Sequence, residues 1–376
     1  MSDPIINTSA ARQIPVARPS LGEAEAEAAR QAVLSGWIAG GPRLEKFEQE
    51  FAAAHRRRFG VATNSGTTAL HLALAALDIR PGDQVVMPAL TMVAVANAAV
   101  YCGATPVFVD SEPESASADP YWLKRVLNSR TKAVVVPHLY GVPAAAFLQA
   151  LRQHAPHLPL VEDCSECHYA TLGGRPAGSF GRLATWSFYG NKIISTGEGG
   201  LVATDDERLA ARLRSLRAHA FTPGNHFQHQ ELAFGYRLGE VPAAIGLVQH
   251  ARRDELLARR KSIAERYSAG LSELPWIRLQ ARTSGSVWWV FPLVCPSEAF
   301  RDRLRSALAD AGVETRTWFV PLSRQPHLRR YAEHRYPVAD DLSRRGLYLP
   351  LYADMSDDDV DYVCQVVEAA EGKGRR

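Results

Sequence analysis

Seven short runs rich in β-branched residues punctuate the first two-thirds of the chain, at 60–63, 84–88, 106–110, 133–138, 159–163, 184–188 and 200–204. Several are apolar on both faces, as strands inside a covered parallel sheet are. Segments of helical period, such as 67–77 and 143–154, lie between them. This alternation predicts an α/β domain built on a mostly parallel central sheet, with ligands bound at the carboxyl ends of the strands. From about residue 240 the pattern changes. Residues 241–271 read as one long amphipathic helix. Strand-like runs follow at 286–295 and 315–320, and helical ones at 300–311 and 357–370. The expected division is a large domain over 15–250 and a smaller C-terminal α+β domain over 251–376. Residues 12–19 read as an extended stretch that crosses between domains or subunits.

The 376 residues are 46% hydrophobic, enough for a large core. A formal net charge of +3, spread along the chain, gives no electrostatic case for nucleic acid or a membrane surface. The first fifteen residues are polar and lack the apolar centre of a signal peptide. No apolar run approaches the roughly 20 residues that span a bilayer. These features predict a soluble cytoplasmic protein. The five cysteines are scattered, so no disulfide framework is expected. Cys164-Ser165-Glu166-Cys167-His168 matches the haem-attachment and redox C-x-x-C patterns. Haem attachment needs export, and no second ligand pair follows at zinc spacing, so no metal site is expected.

Six lysines allow a choice by elimination. Lys46, Lys124 and Lys261 lie in charged helical patterns, Lys132 opens a strand and Lys373 is in the tail. Each reads as a solvated residue. Lys192 follows an apolar strand and the turn Tyr189-Gly190-Asn191, and precedes the small-residue stretch Ser195-Thr196-Gly197-Glu198-Gly199-Gly200. Asp163 ends another strand, where a carboxylate can keep a ring nitrogen protonated by charge pairing. Asn64-Ser65-Gly66-Thr67 joins a strand to a helix, and the N–H groups of Gly66 and Thr67 would face an anion there. Ser187 could add a hydroxyl. A lysine, a carboxylate and an anion seat at the strand ends of one sheet suit pyridoxal 5′-phosphate (PLP), whose pyridinium draws electrons from a substrate carbanion.

Across nearly its full length the chain resembles the DegT/StrS-type sugar aminotransferases, a fold-type I PLP family. The resemblance rests on Ser35-Gly36-Trp37 with Gly41-Pro42-Arg43, on Asn64-Ser65-Gly66-Thr67, and on Thr91-Met92-Val93-Ala94 with Ala96-Asn97. It continues through Glu162-Asp163 with Glu166 and His168, Ser187 to Lys192, and Thr196 to Gly200. Tyr236-Arg237, Ala243 to Gly246 and Leu349-Pro350-Leu351 complete it. Gly190-Asn191-Lys192 and Thr196 to Gly200 most resemble perosamine synthases, which aminate a GDP-linked 4-keto-6-deoxy sugar.

The resemblance implies that Lys192 holds PLP as a Schiff base and shuttles the proton, that Asp163 pairs with the pyridinium nitrogen, and that Glu166 approaches the 3′-oxygen. Gly66, Thr67 and Ser187 would bind the phosphate, and Met92 would lie over the ring. Arg237 would reach the neighbouring subunit's site, in a homodimer with shared active sites. Trp37, His168, Tyr189 and Trp318 would meet substrate. Three departures stand out. Gly235 replaces an Asn that normally reaches the partner's cofactor phosphate, a contact worth about 1–3 kcal/mol. Ser323 stands where the family often has His in Pro-Leu-His, and Ala145-Ala146 replaces an acidic pair-member. The reaction expected is a ping-pong transfer from glutamate to a keto acceptor, a nucleotide-linked 4-keto-6-deoxy sugar. The alternatives are a non-sugar or cyclitol ketone in secondary metabolism, or a PLP-binding regulator without turnover. The sugar dehydratases of the same fold carry His at the lysine position, and Lys192 argues against them.

Overall fold

The computed structural model describes residues 12–222 and 224–372. Seven strands form the central sheet: β1 (Phe59–Thr63), β2 (Gln84–Pro88), β3 (Thr105–Val109), β4 (Thr131–Pro137), β5 (Leu160–Asp163), β6 (Leu183–Ser187) and β7 (Gly200–Thr204). Their order is β1-β7-β6-β5-β4-β2-β3. Only β7 runs against its neighbours. All seven strands fall within a residue or two of the runs read from sequence. Their side chains are buried on both faces because helices cover both sides, which is what a run of Val, Ala and Leu without alternation requires.

The expected helix over 241–271 is two helices, Glu240–Ala251 and Arg253–Gly270. Arg252 sits between them at φ −87° and ψ 3°. Its guanidinium spans Glu25 (2.8 Å) and Glu255 (2.9 Å), and these two carboxylates hold the corner. A second, antiparallel sheet comprises Arg278–Leu279, Phe291–Val294, Gly346–Leu349 and Arg316–Thr317. Its strands are shorter than the runs at 286–295 and 315–320 suggested. Its core gathers Ile263, Tyr267, Phe291, Leu347 and Val363. The extended stretch at 12–19 starts on this core, where Ile14 pairs with Val313, and Val16 then enters the first core. Among the described residues no helix is long and apolar enough to cross a membrane.

Candidate active site

The carboxyl ends of β5 and β6 and the start of the helix Gly66–Ala76 open into one cavity of about 330 Å³, roofed from the second sheet. Its lining includes Gly66, Thr67, Met92, Asp163, Glu166, Ser187, Tyr189 and Lys192. Residues far apart in sequence thus meet at the strand ends, as an open α/β sheet dictates.

Each wall has a local cause. Ser65 caps the helix, its hydroxyl taking the Thr68 N–H at 3.2 Å. The cap leaves the N–H groups of Gly66 and Thr67, which a helix cannot satisfy internally, turned toward the cavity. Glycine is required at 66 by close approach: a Cβ there would lie 2.6 Å from the Ser187 Cβ. Asp163 uses one oxygen locally, Oδ1 accepting from the Ser165 N–H (3.0 Å) and hydroxyl (2.6 Å). Its Oδ2 accepts from no described residue and is left to the cavity. Glu166 Oε2 takes the N–H of Tyr140 at 2.8 Å. Tyr140 holds that N–H in place from a left-handed backbone, φ 54°. Burial pushes the Glu166 carboxyl up to about 7, against the pull of Lys192 and the Tyr140 N–H. Burial likewise lowers the Lys192 ammonium from its ordinary value, opposed by Glu166 and Asp163. The Lys192 Nζ lies 4.0 Å from the centre of the Trp289 ring, and the Trp289 indole N–H donates to Asn191 O at 2.8 Å. Arg260, buried in the helix Arg253–Gly270, donates to the Trp289 carbonyl at 3.0 Å and so ties that helix to the lysine loop.

The profile of the DegT/DnrJ/EryC1/StrS aminotransferase family matches residues 19–368. The chain is 36% identical over 367 residues to a GDP-perosamine synthase of Caulobacter vibrioides, covering 95% of this chain and 98% of that one. It is 34% identical over 358 residues to the GDP-perosamine synthase of Escherichia coli O157:H7, with the same coverage of each. The fold superposes on the aminotransferase TlmJ from Streptoalloteichus hindustanus with a TM-score of 0.90 at 33% identity, over 97% of this chain and all of that one. The PLP form of the sugar aminotransferase Spr1654 from Streptococcus pneumoniae gives 0.90 at 27% identity, over 96% and 99% of the two chains.

The chain belongs to the DegT/DnrJ/EryC1/StrS aminotransferase family.

It is a PLP-dependent aminotransferase of the α/β class, and the cavity fits the family's cofactor on its own evidence. It offers a half-buried amine with a lowered pKa, an acid with one oxygen fixed and one open, and a bare helix start beside a serine hydroxyl. Lys192, Asp163, Glu166, Gly66, Thr67 and Ser187 are the residues that would hold it.

Three of the residues expected from sequence lie outside this cavity. His168 is fully buried among Phe51, Tyr169 and Phe188, behind the cavity floor, and burial drives its pKa well below the ordinary value. It is therefore a neutral core residue rather than a substrate contact. Trp318 is buried too, its N–H spent on Leu347 O at 3.1 Å; the adjacent Phe319 lines the cavity in its place. Trp37 is exposed outside the cavity, near Gly41. Arg237, expected at the neighbouring subunit's site, is exposed outside its own and pairs by backbone with Thr63. Conversely, Asn191, Glu198, Trp289, Arg316, Phe319 and Tyr348 line the cavity without having been singled out.

The other face of β5 holds Glu162, fully buried. It accepts from the N–H groups of Gly178 (2.8 Å), Phe180 (2.6 Å) and Gly181 (2.6 Å) and from His138 Nε2 (3.0 Å). The Ala144 N–H points at His138 Nδ1 (3.1 Å), which places the ring's proton on Nε2. Burial opposes the charge on Glu162, yet these donors hold its carboxyl below the usual range. His138 also brings a third potential ligand to Cys164 and Cys167, all within 4.8 Å, which spacing along the chain did not reveal. Both imidazole nitrogens are already engaged, so this cluster presents no free histidine lone pair to a metal.

Proposed function

We propose that this aminotransferase moves an amino group from L-glutamate to a nucleotide-linked 4-keto-6-deoxy sugar, as a cytoplasmic homodimer in which each subunit completes the other's site. The observation that carries the chemistry is the meeting of Lys192, the open Asp163 oxygen and the bare helix start in one cavity. Near-complete alignment with proteins named GDP-perosamine synthase supports the acceptor class. The exposed apolar stretch Leu34, Trp37 and Ile38 supports a subunit interface, because such patches are usually covered in the working assembly. Arg237, exposed at the edge of the sheet, would then reach the partner's cavity.

When bound, PLP supplies an electrophilic carbon and a ring that accepts electron density from the substrate. Lys192 would tether it through Nζ. The same nitrogen, its pKa lowered by burial, would serve as the base that moves the proton transamination requires. Asp163 Oδ2 would hold the ring nitrogen protonated. Glu166, with a pKa of about 7, can present either a proton or a lone pair to the ring oxygen at neutral pH. The Gly66 and Thr67 N–H groups and the Ser187 hydroxyl would take the phosphate. Met92 and Tyr189, both partly exposed, stand at the mouth where an acceptor enters.

The test is a two-stage assay. L-Glutamate should convert the PLP-loaded protein to its pyridoxamine form and release 2-oxoglutarate. A panel of keto acceptors is then offered to that form, including GDP- and dTDP-linked 4-keto-6-deoxy sugars and a cyclitol ketone. Release of 2-oxoglutarate followed by amination of the cyclitol alone would overturn the sugar reading and leave the aminotransferase intact.

A further inference from the structure

The wall facing the strand ends carries a cation that the cofactor's proposed contacts leave unused. Arg316 and Tyr348 are directly opposed across two antiparallel strands of the second sheet, and both line the cavity of Lys192. Opposed residues project from the same face of a sheet, so the guanidinium and the phenol face the cavity side by side. Burial pushes the Tyr348 hydroxyl up to about 12, so it keeps its proton and remains a donor. The described lining contains two cations, Lys192 and Arg316, against three acids, Asp163, Glu166 and Glu198. Lys192 is engaged by the cofactor, and the phosphate has the helix start and Ser187. Arg316 is the remaining positive charge.

Its resting partner is weak. Arg316 Nη2 stands 3.5 Å from Glu314 Oε1, with both side chains about half exposed (55% and 51%). Such pairs contribute little in water. Glu314 is itself held in place, because its Oε2 accepts the N–H of Val16 at 3.0 Å. A ligand that offers a carboxylate inside the cavity can therefore draw Arg316 away from Glu314 at small cost. The planar guanidinium matches a carboxylate with two parallel hydrogen bonds, which a neutral amine or a sugar hydroxyl cannot reproduce.

We propose that Arg316, assisted by Tyr348, is the carboxylate-binding residue for the amino donor, selecting amino acids over simple amines. This inference rests on the amino-acid-donor reading above and adds the group that recognises the donor.

Glutarate, a dicarboxylate with no amine, tests it without turnover. Its affinity for the PLP-loaded protein is measured by calorimetry for the wild type, R316Q, R316K and E314Q. R316Q should weaken glutarate at least tenfold, and R316K should fall between R316Q and the wild type because it keeps charge without the fork. E314Q removes the competing charge, keeps an acceptor for Val16, and should tighten glutarate two- to threefold. The KM for L-glutamate should rise in R316Q by a larger factor than kcat falls. Wild-type affinity in R316Q, or weakening in E314Q, would overturn the proposal. Glutarate discrimination by these variants in a protein that aminates no nucleotide sugar would uphold it while removing the proposed acceptor.

Discussion

Glu162 and Asp163 are neighbours on one strand, and their side chains leave on opposite faces. Both are buried, so exposure does not separate them. What separates them is how their oxygens are used. Glu162 meets three backbone N–H groups and an imidazole N–H. Asp163 has one oxygen tied twice to Ser165 and the other turned into a cavity with Lys192. A buried acid whose oxygens are fully engaged holds a fold together. A buried acid left half engaged at a strand's carboxyl end is available for chemistry.

The largest effect expected lies on the cavity side. K192A should reduce turnover by about 10³-fold, within the range for loss of a positioned proton-moving group. It should also abolish borohydride fixation of PLP at residue 192; unchanged labelling of the variant would refute the assignment. The contrast between the two acids is tested by a crossed pair. D163N should lower kcat by roughly 10²-fold, the scale of losing one aimed electrostatic group, while its urea unfolding midpoint stays near the wild type. E162Q should do the reverse, costing about 3 kcal/mol of stability as its amide meets donors that need an acceptor. If both variants shift the same quantity, the distinction between the two faces collapses.

Glu166 sharpens the comparison through pH. Its folded value of about 7 lies above its ordinary 4.5, so the native apoprotein binds an extra proton between those values. That contribution is complete below the unfolded value and is lost as pH rises through about 7, a loss of roughly 3 kcal/mol. Urea titrations of the apoprotein at pH 5 and pH 8 should differ accordingly, and E166Q should flatten the difference. The smallest effect belongs to the second sheet's hold on the lysine loop. W289F keeps a ring over Lys192 but loses the hydrogen bond to Asn191 O, costing about 1 kcal/mol in the same titration.

The sequence made the floor of the site legible and left its roof obscure, for a physical reason. Asp163 ends a strand of the parallel sheet and Lys192 lies just past the end of another, and runs of Val, Ala and Leu mark such strands plainly. Arg316 belongs to a two-residue strand, too short to carry any period, and reads as one more exposed arginine. Its place in the cavity comes from its register opposite Tyr348, a pairing between distant segments. Trp289 is hidden in the same way, inside an apolar run whose facing residues cannot be ordered from sequence. His168 and Trp318 erred in the other direction. The family resemblance points them at substrate, and packing spends them on the core. The corner at Arg252 went unseen because the helical period continues across it, and the two carboxylates that make the corner come partly from Glu25 near the start of the chain.

The close approach of Gly66 to Ser187 has a consequence for how the protein is made. On the ribosome the first of these residues emerges long before the second, and the amine at 192 follows later still. A chain halted before residue 187 has a helix start with no facing wall and nothing to tether a cofactor. Loading must therefore wait until the nascent chain has passed its midpoint.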